Sequence, residues 1–197
     1  MQTVVLISGK RYSGKDTAAL GLKAQLLGSS KILALADMVR ADYIKSLKNN
    51  DNISMDDLKH NDSVLKEQHR IPIIKLAEEM KIKHGKNYWA KRLFDTHIRD
   101  DDSGTQVFII SDWRFIEEYN YFYSLISSVV TIRINATEDT RRQRGYIFNE
   151  SIDKGPSETS LDTYNKFKIV IDNDGTTNEL YEWLHILYVL PTFVNYC

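Results

Sequence analysis

The segment SGKRYSGKD, residues 8–16, carries glycines and a lysine at a spacing that suits the binding of phosphate. Gly9 and Gly14 stand five residues apart and Lys15 follows directly, which fits the pattern G-x-x-x-x-G-K. In such a loop the backbone N–H groups point at phosphate oxygens, and the following helix adds partial positive charge. We therefore predict a nucleoside triphosphate site with Lys15 at the β and γ phosphates. The other predicted ligands of this loop are Lys10, Arg11, Ser13, Asp16 and Thr17. A plain glycine turn between a strand and a helix is the alternative interpretation.

Two carboxylates are candidate ligands for Mg²⁺. Asp16 stands where such a loop usually has Ser or Thr, and a carboxylate is itself a good ligand for a hard cation. The hydroxyl of Thr17 is a second candidate, and Asp16 also places a favourable negative charge in the first turn of a helix. Asp112 ends the apolar run VFIIS, where a strand would hold magnesium or the acceptor. Capping of the next helix explains Asp112 equally well. The nearby Arg114, however, favours a catalytic and acceptor-binding role for Asp112 and for Arg114 itself.

The segment EDTRRQRG, residues 138–145, brings several arginines within about one helical turn. Arg141 and Arg144 are predicted to converge on the phosphoryl group during its transfer, and Arg141 also to contact the nucleotide. A solvated charged face is the alternative. The run leads into a polar, glycine-containing stretch, so we predict a lid over residues 137–160 that excludes water from the reaction.

The elements that must position these residues alternate between strand and helix. The predicted strands are Thr3–Ser8, Lys31–Leu35, Val107–Ser111, Val129–Ile134 and Lys168–Asp172. Helices are predicted at 17–27, at 37–47 with Asp37 as N-cap, from Pro72 in a first turn to 84, and at 87–97, 115–126, from 137, and 176–190. This order predicts an α/β fold, a three-layer sandwich whose five-stranded parallel sheet is covered by helices on both faces.

The middle third of the chain is helical, and we predict that residues 36–106 form an acceptor-binding insertion in a single domain of residues 1–197. Lys66 and Arg70 share one helical face and could hold an acceptor phosphate, although a solvated face explains them better on sequence alone. Tyr88 and Trp89 could stack on a base, but an aromatic pair in a helix is more often part of a core. Residues 48–54 are predicted to be a surface loop.

Composition limits the possible partners. The net charge of −1 gives no general reason to bind a nucleic-acid polymer or an anionic membrane, so we expect neither. One cysteine, Cys197, excludes an intrachain disulfide, and the short apolar run at the N-terminus is unlike a signal peptide. We therefore expect a cytoplasmic protein. The apolar tail LPTFVNYC, residues 190–197, could pack on its own core or on a second copy in a homodimer.

Several segments together resemble two related groups of P-loop kinases. They are SGKRYSGKDTAA, SDWRF, RRQRG, SETSLDTY and IVIDNDGT, and they cover most of the chain in order. One group comprises the deoxynucleoside monophosphate kinases of large DNA viruses and phages, and the other the animal-type phosphomevalonate kinases. Both groups carry the GKD ending, so Asp16 is compatible with a working site.

The resemblance implies a P-loop NTPase fold, ATP as phosphoryl donor, Mg²⁺ as cofactor and a small phosphorylated acceptor. It also implies that Arg40, Lys66 and Arg70 bind the acceptor. The remaining residues of the predicted acceptor site are Asp37, Trp89, Asp112 and Arg114.

Three functions are compatible with these patterns. The first is transfer of the γ-phosphoryl group of ATP to a deoxynucleoside monophosphate, which the aromatic Tyr43, Tyr88 and Trp89 favour because a base needs a flat apolar slot. GKDTAA and NDGTTNEL are also closer to the nucleotide kinases. The second is phosphorylation of mevalonate 5-phosphate, to which SGKRYSGKD and RRQRG are at least as similar. The third is a nucleotide-binding module without catalysis, against which the intact Lys15 and Asp112 argue.

Overall fold

The computed structural model describes residues 2–26, 29–47, 53–59 and 64–189. The chain divides into two compact units, one formed by Met1–Leu33 with Asp100–Cys197 and the other by Ala34–Arg99. The first carries the phosphate-binding loop and the second is helical. The predicted loop at 48–54 falls largely outside the described residues, and the apolar tail at 190–197 lies wholly outside them.

The first unit is built on a parallel sheet. Its strands are β1 (Thr3–Ser8), β2 (Ser30–Leu33), β3 (Val107–Ile110), β4 (Ser128–Asn135) and β5 (Ile169–Asp172). Their order is β2-β3-β1-β4-β5, and all four pairings are parallel. The predicted five-stranded sheet is confirmed, with strand ends that differ from the prediction by at most two residues.

Ten helices are present in the described chain. They are α1 (Lys15–Gln25), α2 (Leu35–Ser46), α3 (Met55–Lys59), α4 (Val64–His84), α5 (Tyr88–His97), α6 (Ile116–Leu125), α7 (Glu138–Gln143), α8 (Glu150–Asp153), α9 (Pro156–Thr159) and α10 (Thr177–Val189). None of these helices combines the length and the apolar character needed to cross a bilayer.

The central strands of the sheet are buried on both faces. All six residues of β1 and all four of β3 are buried, although successive side chains of a strand point to opposite faces. One face packs beneath α1 and α10, where Ile7, Ile109 and Ile132 meet Leu22 and Leu184 in a continuous apolar core. This core fixes the carboxyl ends of β1 and β3, from which the phosphate-binding loop and Asp112 extend.

The helical unit differs from the prediction at two helix starts. α2 begins at Leu35 with Ala34 as N-cap, so the prediction that Asp37 caps this helix is wrong; its carboxylate instead pairs with Arg40 at 2.7 Å. α4 begins at Val64 and contains Pro72 in its interior, not in its first turn. Proline has no N–H group, so the helical hydrogen bond to the carbonyl four residues earlier, that of Gln68, is missing. Because Gln68 is exposed, water can bond to that carbonyl instead.

Candidate functional site

The turn after β1 has the backbone of a phosphate-binding loop. Gly14 has φ 91°, a left-handed conformation that favours glycine, and it caps α1 without any side-chain hydrogen bond. The first N–H groups of α1 are therefore available to an anion. A Cβ at Gly9 would lie 2.6 Å from the carbonyl oxygen of Ile134, so this position excludes any other residue. The hydroxyl of Ser13 is buried and has no hydrogen-bond partner in the described chain.

Lys15, the first residue of α1, is buried at the centre of this loop. Burial lowers the pKa of its ammonium group, and Arg114 lowers it further, whereas Asp16, Glu158 and Asp112 raise it. Within the part of the chain that the structure describes, the ammonium group of Lys15 forms no hydrogen bond or ion pair. A buried ammonium group without a bonded partner suits an anionic ligand that supplies the missing charge.

Asp16 and Asp112 both act on Lys15 electrostatically, which places the two predicted magnesium ligands around one ammonium group. Asp16 is exposed in the first turn of α1 and Asp112 is half-buried. Among the described residues no group of three or more His, Cys, Asp or Glu could hold a metal ion. Two carboxylates still fit Mg²⁺, since this ion usually keeps several waters and binds one or two protein carboxylates together with substrate phosphates.

The loop that carries Asp112 and Arg114 is anchored by its aromatic residue. Trp113 is fully buried, and its indole N–H donates to the carbonyl of Phe115 at 2.7 Å. Glu118 accepts hydrogen bonds from the backbone N–H groups of Arg114 and Phe115, at 3.0 and 3.1 Å. Glu118 thus provides the hydrogen-bond acceptor for two N–H groups at the start of α6. The N-cap of this helix is Phe115, so the alternative that Asp112 caps it is wrong.

Arg144 lies at the C-terminal end of α7 and binds three carbonyl groups. Its guanidinium donates to Ser13 at 3.3 Å, Asn173 at 2.9 Å and Gly175 at 3.2 Å. Asn173, which follows β5, donates from its side chain to the same Ser13 carbonyl at 2.8 Å. Arg144 and Asn173 therefore brace the phosphate-binding loop against the turn after β5. Sequence reasoning missed Asn173, although it stands in the quoted IVIDNDGT segment.

Arg141 belongs to a stack of cationic and aromatic groups. Its guanidinium lies 4.3 Å from the ring centroid of Tyr146, and that of Arg11 lies 5.7 Å from the same centroid. Tyr12 meets Tyr146 edge to face at 6.1 Å. The stack brings Arg141 beside the phosphate-binding loop, and Arg141 remains a predicted ligand of the nucleotide.

The segment after Tyr146 contributes acidic residues that sequence reasoning did not assign. Asp153 forms a buried ion pair with Arg11 at 3.2 Å. Glu158 pairs with Arg114 at 2.9 Å, and Asp162 pairs with Lys10. Three predicted cationic ligands are thus each held by a carboxylate of residues 153–162, and two of these carboxylates, Asp153 and Glu158, lie in the predicted lid region.

The predicted acceptor residues of the helical unit are held by other contacts within that unit. Asp37 pairs with Lys59 at 2.8 Å in addition to Arg40, and Lys66 donates to the carbonyl of Lys59 at 3.0 Å. Arg70 pairs with Glu67 one helical turn away. Trp89 is only 3% exposed, and its indole N–H donates to Ala77 at 3.0 Å. Trp89 has a packing role in this unit, and acceptor binding by the set stays a prediction.

The fold and the site together define an ATP-dependent phosphotransferase of the P-loop kinase class. The defining features are a parallel sheet with a glycine loop after its first strand, a buried lysine at the start of the next helix, and two carboxylates around that lysine. The family profile for phosphomevalonate kinase matches residues 7–128. The chain belongs to the phosphomevalonate kinase family. A curated relative, the phosphomevalonate kinase of Drosophila melanogaster, is 28% identical over 177 residues, which cover 88% of this chain and 89% of that protein.

Solved structures show the same fold at low sequence identity. An APS kinase from Mycobacterium tuberculosis has a TM-score of 0.52 and 14% identity, covering 94% of this chain and 96% of that chain. A shikimate kinase from Aquifex aeolicus has a TM-score of 0.51 and 14% identity, covering 93% of this chain and 94% of that chain. These neighbours confirm the predicted P-loop α/β fold.

Proposed function

We propose that this chain transfers the γ-phosphoryl group of ATP to the phosphate of mevalonate 5-phosphate, which yields ADP and mevalonate 5-diphosphate. The observation that carries the proposal is the family match over residues 7–128, which spans the phosphate-binding loop, the helical unit, Asp112 and Arg114. The Drosophila relative supports it over a larger share of the chain. The sequence alone favoured a deoxynucleoside monophosphate as acceptor, and both comparisons favour the alternative.

The packing of the aromatic residues supports the same choice. Trp89 is buried with its indole N–H bonded within the helical unit, and Tyr88 stacks on His84 with ring centroids 4.9 Å apart. The hydroxyl of Tyr43 bonds to His69 at 2.6 Å. These contacts within the helical unit account for the presence of the three aromatic residues without a base-binding slot. The main sequence argument for a nucleotide acceptor is therefore weakened. Mevalonate 5-phosphate has no ring to stack and is recognised by charge.

In this proposal the residues of the chain hold and neutralise anions. Lys15 and the N–H groups at the start of α1 bind the transferring phosphate, and Arg141 and Arg114 offset its charge as transfer proceeds. The acceptor phosphate is already ionised near neutral pH, so no strong base is required and Asp112 organises its surroundings. Mg²⁺ bound by Asp16 and Asp112 would supply charge neutralisation at the phosphate oxygens.

The test is ADP release from Mg-ATP with mevalonate 5-phosphate, compared with each deoxynucleoside and ribonucleoside monophosphate at equal concentration. We expect turnover with mevalonate 5-phosphate and little with any nucleotide. Turnover with nucleotides alone would overturn the proposal in favour of the nucleotide kinase function, which the GKDTAA and NDGTTNEL segments support. No turnover with any acceptor, in a protein that binds ATP, would indicate a binding module.

A further inference from the structure

The segment of α8, α9 and the following turn delivers three carboxylates to the phosphate-binding loop. Asp153, Glu158 and Asp162 lie within ten residues of one another and reach Arg11, Arg114 and Lys10. Glu158 also bonds to the backbone of the loop, so its contacts differ in kind from ordinary ion pairs.

The carboxylate of Glu158 makes two contacts that fix its position. One oxygen lies 2.9 Å from Nη1 of Arg114, and the other accepts a hydrogen bond from the backbone N–H of Arg11 at 3.2 Å. The backbone carbonyl of the same residue accepts from the ammonium group of Lys10 at 2.7 Å. The side chain is 6% exposed. A buried carboxylate is costly unless paired and hydrogen-bonded, and here it is both.

The contact constrains Arg114 from two sides. Its Nη1 donates to the carbonyl of Gly9 at 3.2 Å while it pairs with Glu158. Its backbone N–H is held by Glu118. The guanidinium is therefore held against the first residue of the phosphate-binding loop, beside the Lys15 ammonium group on which it acts electrostatically.

Two roles would be compatible with a carboxylate at this place. It could occupy the loop as a competing anion that ATP must displace, or it could stay and hold the cations in place. In the described chain the carboxylate of Glu158 pairs with the guanidinium of Arg114 and accepts a hydrogen bond from the backbone N–H of Arg11. Among the described residues it accepts none from the N–H groups of Gly14, Lys15 or Asp16. Those are the groups at the start of α1 that an anion would use. The contacts therefore favour the second role.

We propose that Glu158 is a positioning residue for phosphoryl transfer, which holds the guanidinium of Arg114 in the geometry that the transferring phosphate requires. The proposal rests on the P-loop kinase class and holds for any acceptor. Glu158 acts through Arg114, so its removal should matter only while Arg114 is present.

The test is a double-mutant cycle with Glu158→Gln, Arg114→Ala and the double variant in the full chain. Gln keeps the shape of Glu and removes its charge. Loss of a charged hydrogen bond that acts in the transition state should lower kcat by about tenfold to about a hundredfold. We expect such a fall for Glu158→Gln with little change in the KM for ATP, and no further fall when Glu158→Gln is added to Arg114→Ala.

A conservative variant and a matched control separate this role from a general structural one. Glu158→Asp keeps the charge and should recover part of the lost kcat. Glu150→Gln removes an exposed carboxylate of the same segment, which pairs with the exposed Lys154, and should leave kcat unchanged. Thermal melting and circular dichroism confirm folding, and if the Gln variant is unfolded the Asp variant replaces it in the cycle.

The readouts do not depend on the acceptor assignment. The cycle is measured with whichever acceptor turns over, and also as slow hydrolysis of Mg-ATP without acceptor, so failure of the phosphomevalonate proposal leaves it interpretable. An equal fall in kcat with and without Arg114 would overturn the positioning role. Unchanged kcat with tighter Mg-ATP binding in Glu158→Gln would also overturn it and would identify Glu158 as a competing anion.

Discussion

At the scale of single residues, Lys15 combines burial with the absence of a bonded partner in the described chain. Its pKa is lowered chiefly by burial, and three nearby carboxylates oppose that shift. A side chain that desolvation disfavours contributes little to folding, whereas it can interact strongly with a bound phosphate in the same dry surroundings. Its value to the protein is therefore functional.

We predict that Lys15→Ala folds normally and loses phosphoryl transfer by about a hundredfold or more, the usual cost of removing one group that stabilises the transition state. ADP release under saturating Mg-ATP measures the loss, and circular dichroism checks the fold. Lys23→Ala, which alters an exposed lysine of the same helix, serves as control and should be active. Wild-type turnover in Lys15→Ala would contradict the assignment of the loop.

At the scale of elements, contacts between loops distant in sequence determine where the site residues stand. The end of α7, the turn after β5 and the phosphate-binding loop meet at the guanidinium of Arg144. The start of α7 is fixed separately, because Asp174 accepts hydrogen bonds from the backbone N–H and the hydroxyl of Thr137, each at 2.8 Å. The base of the predicted lid is thereby tied to the sheet at both ends of α7.

We expect Arg144→Ala to lower the free energy of unfolding by about 1.5–3 kcal/mol, because charged hydrogen bonds to three carbonyl groups are lost. Urea denaturation followed by tryptophan fluorescence measures the change. Arg142→Ala removes an exposed arginine of the same helix that pairs with Glu138, and its effect should be small. Equal stability of Arg144→Ala and the wild type would show that the three contacts do not brace the loop.

The pairing of Asp174 predicts a dependence of stability on pH. A hydrogen bond from Thr140, followed by those from Thr137, lowers the pKa of this carboxyl below its ordinary value of 3.8. A lowered pKa in the folded state means that the stabilisation is present above the unfolded value and is lost as pH falls through the folded one. Asp174→Asn should therefore lower the melting temperature at about pH 6 and have a smaller effect at about pH 3.

Melting curves of wild type and Asp174→Asn at both pH values provide the measurement. Asp139→Asn, which changes an exposed carboxylate on the same helix, is measured alongside as the control. A difference between wild type and Asp174→Asn that grows as pH falls would have the wrong sign for this account.

At the scale of the whole molecule, the doubly covered sheet supplies the stability on which the site depends. Ile132 of β4 is 1% exposed in the core beneath α1 and α10, whereas Val170 of β5 is 56% exposed. Apolar burial of this kind is the main favourable contribution to folding. The loops at the carboxyl ends of β1 and β3 can then be specialised for binding.

Ile132→Ala should lower the free energy of unfolding by about 2–5 kcal/mol, because a buried methyl-rich side chain is lost and a cavity is left. Val170→Ala, on the exposed edge strand, should change it by less than about 1 kcal/mol. Urea denaturation of both variants tests the assignment of the core. Equal losses for the two variants would contradict the burial of this face.

The sequence by itself determined the local features. Apolar runs identified five strands, the G-x-x-x-x-G-K spacing identified the loop and Lys15, and the position of Asp112 after a buried strand identified the second carboxylate. Each of these features depends on residues close together in the chain. Backbone geometry and the burial of one strand are enough to produce them, so no contact with a distant residue is needed. The first part of α4, from Val64 to Pro72, was not predicted, because a proline by local rules indicates the first turn of a helix. An exposed helix can nevertheless accommodate a proline in its interior.

Only the tertiary structure decided which charges meet. Glu158 lies 147 residues from Arg11, and Arg144 lies 131 residues from Ser13, so no local pattern relates them. Trp89 was equally ambiguous in sequence, and the packing of the helical unit gave it a core position. The physical reason is that ion pairs and hydrogen bonds act over a few ångströms in space, and the fold alone determines which distant residues come within that distance.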